Sequence, residues 1–175
     1  NQLRMDVITE LAKNSPNGRV LKFFSNEQTD LQVGITVSDS NKRISVVFRG
    51  SESKSDWYYD LSLFKVQLHD DVYVHGGFHK QLHNENMYEN INNELMNALT
   101  ECPDYEIYVT GHSLGGALAT LYGYELSKVI SNNVTVVSFA SPRVGNTPFR
   151  REYDASPNLM HYRITHNRDI VTAAP

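Results

Sequence analysis

The sequence predicts an α/β fold, a single layered domain built on a mostly parallel sheet. Three observations predict it. Residues 105–110, 116–130 and 134–139 alternate as strand, helix and strand, which is how a parallel βαβ unit reads. Gly111-His112-Ser113-Leu114-Gly115 sits where the first strand must turn sharply into the helix. No internal repeat, low-complexity linker or second-domain signal divides the 175 residues, so 1–175 reads as one domain.

The elements follow in order. Residues 3–11 repeat apolar side chains at helical spacing, with Leu3, Val7, Ile8 and Leu11 on one side, and 14–18 end that helix. Strand-like segments come next at 20–24, 31–37 and 43–48, split by turn clusters such as 38–41. Residues 53–61 predict a short amphipathic helix, capped by Ser55, with Trp57, Tyr58 and Leu61 on one face. Residues 77–100 predict the longest helix, carried by Tyr88, Ile91, Leu95, Ala98 and Leu99. Segment 105–110 has the β-branched and aromatic content of a buried strand. The helix over 116–130 reads through Leu114, Ala117, Leu118, Leu121, Leu126 and Ile130. A strand at 134–139, a short helix at 148–153 and a strand at 159–164 complete the reading.

Composition bounds the function. A hydrophobic share of 40% over 175 residues supports one sizeable core. The net charge of −4, with both signs dispersed, argues against a nucleic-acid surface, which would need a basic stripe. No apolar run approaches the roughly 20 residues of a membrane-spanning helix. The chain starts at Asn1 without methionine and shows no signal peptide, as expected of a mature product, a fragment or a trimmed chain. Cys102 is the single cysteine, which forbids an intrachain disulfide and leans towards an intracellular compartment, but localisation stays open. Asn133-Val134-Thr135 is a formal glycosylation sequon that reads as a chance match in an asparagine-rich chain.

The chemistry centres on Ser113. Glycine two residues before and two residues after it removes the collisions a sharp elbow would cause, so the hydroxyl stands exposed at the strand's end. The helix that begins there points backbone N–H groups at whatever the serine attacks. Acyl transfer also needs donors for the oxyanion of the tetrahedral intermediate. The N–H of Leu114 can be one. Val46-Val47-Phe48-Arg49-Gly50-Ser51 leaves a strand through glycine into a small hydroxyl residue, so the N–H of Ser51 can be the other; a simple turn serine is its plainer reading. Asp169 follows the 159–164 strand, in the place and chain order of a triad acid, though an acid there also suits a turn cap. Trp57, on the 53–61 helix, reads either as part of a lid over a pocket or as a core residue.

Taken together, these segments resemble the class 3 lipases, the fungal-lipase-like branch of the α/β-hydrolases. The matching blocks are Val47-Phe48-Arg49-Gly50-Ser51, Asp56-Trp57-Tyr58-Tyr59-Asp60-Leu61, Val74-His75-Gly76-Gly77-Phe78, residues 109–118, Ser138-Phe139-Ala140-Ser141-Pro142-Arg143-Val144-Gly145-Asn146 and residues 162–171. They lie in the family's order from about residue 46 to the end. The resemblance implies an α/β-hydrolase-type central sheet, mostly parallel and flanked by helices, with a C-terminal part missing. It implies Ser113 as nucleophile, Asp169 as triad acid, Ser51 and Leu114 as oxyanion-hole donors, 53–61 as the lid region with Trp57, and Asp60 as a hydrogen-bonding support for Ser51. The implied activity is hydrolysis of carboxylic esters, those of acylglycerols first, with a lipid or ester substrate, transient contact with a lipid interface and no cofactor. A phospholipase or small-ester esterase of the same family, or a non-catalytic lipid-binding relative, are the alternatives. Oligomeric state is left unassigned.

One departure stands out. The family's catalytic histidine lies well downstream of its acid, whereas this chain stops six residues after Asp169. None of the seven histidines fits by order: His112 sits inside the elbow, and His166 precedes the acid by three residues as a local turn residue. The expectation is a truncated active enzyme, with an inactive relative as the other reading. His75, His79 and His83 invite a metal reading, but His79-Lys80-Gln81-Leu82-His83 lacks the Glu of H-E-x-x-H. With no cysteine or acid cluster to complete a site, a solvated helix face is expected and no metal is assigned.

Overall fold

Alternating apolar side chains build the first half of the sheet. Leu31, Val33, Ile35 and Val37, every second residue of one strand, are at most 1% exposed, so that face is core. The computed structural model describes residues 18–50 and 64–166, and the expected helices at 3–11 and 53–61 lie outside them. Strands β1 (Arg19–Asn26), β2 (Leu31–Ser38) and β3 (Arg43–Phe48) pair antiparallel in succession. The chain then forms a separate hairpin, β4 (Lys65–His69) and β5 (Val72–His75). Helices α1 (Gly76–His83) and α2 (Met87–Glu101) follow. The second half is β6 (Glu106–His112), α3 (Leu114–Val129), β7 (Val134–Phe139), α4 (Thr147–Asp154) and β8 (Leu159–Ile164).

The main sheet has six strands in the order β1-β2-β3-β6-β7-β8. From β3 onward all neighbours are parallel, which gives the mostly parallel central sheet that the sequence predicts. Helix α3 packs against β3, β6 and β7, and its inner face of glycines and alanines lets it approach closely. Tyr122 fills the layer between: fully buried, 5.4 Å from the Phe48 ring and 5.7 Å from Tyr88, with its hydroxyl donating to Asn92 Oδ1 at 2.7 Å. No described helix is long and apolar enough to cross a membrane.

Three expectations change. The single helix over 77–100 is two helices. Glu85 (φ 52°) and Asn86 (φ 57°) adopt left-handed backbone between them, and the Glu85 carboxylate is held by Asn26 Nδ2 at 2.9 Å and Gln28 Nε2 at 2.8 Å. The β4–β5 hairpin is absent from the sequence reading, although Val66, Leu68, Val72 and Val74 alternate around the turn at Asp70-Asp71. Helix α3 starts at Leu114, two residues early, because the strand ends at His112 and the elbow residue Ser113 is itself the helix N-cap.

Left-handed backbone costs an L-residue with a Cβ roughly 1–2 kcal/mol, less for asparagine and nothing for glycine. Asn86→Ala should therefore lower stability by about 1 kcal/mol in urea denaturation, and Asn86→Gly should leave it level or raise it.

Candidate active site

The serine expected to act chemically stands at the junction of β6 and α3. Ser113 has φ 54° and ψ −121°, a backbone state that side chains rarely occupy. Its flanks explain how the chain gets there. A Cβ on Gly111 would sit 2.2 Å from the Gly115 carbonyl oxygen, and one on Gly115 would sit 2.4 Å from the Phe48 carbonyl oxygen. Either is far inside van der Waals contact, so both positions require glycine. Hydrogen bonds then lock the turn: Ser113 N–H donates to Phe139 O at 2.8 Å, and the Ser113 carbonyl accepts from Gly116 at 2.9 Å and Ala117 at 3.2 Å.

The side chain of Ser113 does not cap the helix and is half-exposed. Leu114, as the first residue of α3, has an N–H that the helix cannot pair, at the positive end of the helix dipole. A partly exposed hydroxyl thus adjoins the N-terminus of a helix at the end of a strand. The end of β3 lies alongside, since Phe48 pairs with Gly111 and a Cβ on Gly50 would be 2.6 Å from the His112 carbonyl oxygen. Arg49 fixes that end through its N–H to Gln32 O at 3.0 Å and its guanidinium to Asp30 Oδ2 at 2.7 Å. Ser51, Trp57, Asp60 and Asp169 lie outside the described residues.

The histidines fall into separate roles. His112 is exposed, with Nδ1 over the β3 end, and His166 is exposed just past β8. Among the described residues no histidine is hydrogen-bonded to the Ser113 hydroxyl. His75 is buried and caps α1, its Nδ1 accepting from Gly77 N–H at 3.1 Å, and burial holds its pKa below the ordinary value.

A second serine–histidine pair, which the sequence reading does not single out, joins β7 to β8: Ser138 Oγ lies 2.8 Å from His161 Nε2. Ser138 is 0% exposed, so no ester can reach it, and the pair is structural. Burial, helped by Arg163, pushes the His161 pKa down to about 4.

His79 and His83 do acquire a third partner, which corrects the expectation of a plain solvated face. Glu125 of α3 comes within 3.0 Å of His83 Nε2. The 42-residue separation hides this contact from any local motif.

The blocks around residues 74–78 and 138–146 meet each other. His75 N–H donates to Val144 O at 2.8 Å, and Asn146 N–H donates to Tyr73 O at 3.0 Å. The Asn146 side chain accepts from Tyr73 N–H and from Phe149 N–H at the start of α4, and donates to Asp71 O. These residues anchor the loop after β7 to the hairpin.

Comparison with known proteins finds lipases. The family model described as lipase (class 3) matches residues 45–175. The chain is 33% identical over 171 residues to a lipase of Rhizopus niveus, covering 91% of this chain and 42% of the relative. The crystal structure of a lipase from Rhizopus microsporus var. chinensis superposes with a TM-score of 0.86 at 32% identity, covering 98% of this chain and 63% of that one. A structure reported as showing that a serine protease triad forms the catalytic centre of a triacylglycerol lipase superposes with a TM-score of 0.81 at 29% identity, over 91% of this chain and 61% of that one. The chain thus spans less than two thirds of each.

The low pKa of His161 makes a testable claim. An unfolded histidine takes up its proton as pH falls below 6.5, whereas His161 in the fold stays neutral until about pH 4. Folding stability should fall across that window, by up to about 3 kcal/mol from this residue. Urea denaturation at pH 7 and pH 4.5 should show the loss, and His161→Gln should flatten it.

Proposed function

We propose that this chain, which belongs to the class 3 lipase family, carries the nucleophile of a carboxylic-ester hydrolase acting on acylglycerols. The observation that carries the proposal is the elbow: a half-exposed serine with left-handed backbone, set against the unpaired N–H groups at the start of α3. The likeness to a triacylglycerol lipase with a serine-protease-type triad supports both the chemistry and the substrate class.

In this reading the Ser113 hydroxyl attacks the ester carbonyl and a histidine base takes its proton. The tetrahedral oxyanion is met by the N–H of Leu114 and by the N–H and hydroxyl of Ser51, the residue that follows Gly50 at the β3 end. Asp60 supports Ser51. Collapse of the intermediate expels the alcohol, protonated by the same histidine, and leaves an acyl-enzyme that water hydrolyses. Asp169 orients the histidine. No metal or cofactor enters the mechanism. Residues 53–61 serve as the lid, in which Trp57 meets the acyl chain, so the partner is a lipid or ester substrate presented at an interface.

A fluorophosphonate probe tests the nucleophile directly. In the protein carrying its histidine base, labelling should fall on Ser113 alone, and Ser113→Ala should abolish it and lower ester hydrolysis by roughly a million-fold. Labelling that survives Ser113→Ala would sink the assignment, and a protein that binds lipid without ever being labelled would be the non-catalytic relative.

Trp57 has its own test. Removing an indole that contacts acyl chain forfeits on the order of 1–3 kcal/mol of apolar burial, felt only by long-chain substrate. Trp57→Ala should slow hydrolysis of emulsified long-chain triacylglycerol about tenfold or more and spare a soluble short-chain ester. An equal loss on both, with a lowered melting temperature, would place Trp57 in the core.

A further inference from the structure

We propose that His79, His83 and Glu125 form a binding site for one divalent transition-metal ion of the zinc type. His79 and His83 are four residues apart, one turn along α1, so both imidazoles lie on the same side of the helix, with ring centroids 4.4 Å apart. That side faces α3, which presents Glu125. The Glu125 carboxylate oxygens lie 3.0 and 3.2 Å from His83 Nε2, and one ligand atom from each residue lies within 4.8 Å of the other two.

Zinc holds nitrogen and carboxylate ligands at about 2.0–2.2 Å, which puts neighbouring ligand atoms in a tetrahedron roughly 3.3 Å apart. The His83–Glu125 edge already has nearly that length, and rotation of the His79 and His83 rings closes the rest. All three side chains are half-buried, so water reaches the fourth position.

The donor set chooses the metal. Two imidazoles and one carboxylate suit zinc, nickel, cobalt or copper, whereas calcium and magnesium prefer shells made of oxygen. Charge also fits, because two neutral imidazoles and one carboxylate offer a single negative charge to a dication.

The site stands apart from the serine. Glu125 lies about three turns along α3 from Ser113, roughly 18 Å at the rise of a helix. A metal there clamps α1 to α3, the helix whose first turn faces the proposed substrate, and has no part in ester cleavage.

Calorimetric titration of chelator-stripped protein with zinc chloride tests the site. One zinc ion per chain should bind with a saturable transition. His79→Ala, His83→Ala and Glu125→Gln should each weaken it by roughly tenfold or more. His69→Ala and His166→Ala, at exposed histidines elsewhere, should leave it unchanged. Cobalt(II) provides a readout that needs no variant: the wild-type protein should develop the intense visible absorption of four-coordinate cobalt, lost when zinc displaces it. Absence of a one-to-one transition, unchanged affinity in folded His79, His83 and Glu125 variants, or only the weak absorption of octahedral cobalt would overturn the proposal and leave an interhelical ion pair.

Discussion

Around Gly111 and Gly115 the end of β6, the start of α3 and the end of β3 come into backbone contact, with no room for a side-chain carbon between them. The rest of the structure hangs on this approach. It brings the helix down onto the sheet, keeps Phe48 in parallel register with Gly111, and holds Ser113 in its left-handed turn. Such a backbone state costs on the order of 1–3 kcal/mol. The bond from Ser113 N–H to Phe139 and the first turn of α3 offset it, so strain at the serine is balanced by the sheet and helix on either side.

That constraint was also the most legible part of the sequence. Glycine two residues to each side of a serine, between a β-branched run and an apolar helix, names both the turn and its reason. The alternation in β2 and the strand–helix–strand run from β6 to β7 were readable because burial imposes their periods directly. The break between α1 and α2 was not, because Tyr88, Ile91 and Leu95 keep a helical period that overrides the asparagines at 84 and 86. Contacts such as Ser138 with His161, or His83 with Glu125, are products of tertiary packing and leave no local trace.

The blocks of sequence shared with the lipases divide by physical role. Those around Gly50 and Ser113 build the elbow and the strand end beside it. Those around His75 and Asn146 bind a hairpin to the loop that follows β7, through backbone bonds and one asparagine that serves three partners. These two of the six blocks are therefore architectural: they hold the loop after β7 against the hairpin.

The two described residues that border segment 51–63 are both anchored. Gly50 rests against the His112 carbonyl, while the Phe64 carbonyl accepts the Gly76 N–H at 2.9 Å and its ring occupies the space a Cβ on Gly76 would need. A methyl group at either place would collide, with the His112 carbonyl oxygen beside Gly50 and with the Phe64 ring beside Gly76, so glycine at these two positions sets where the chain leaves the sheet and where it returns to the hairpin and its helix.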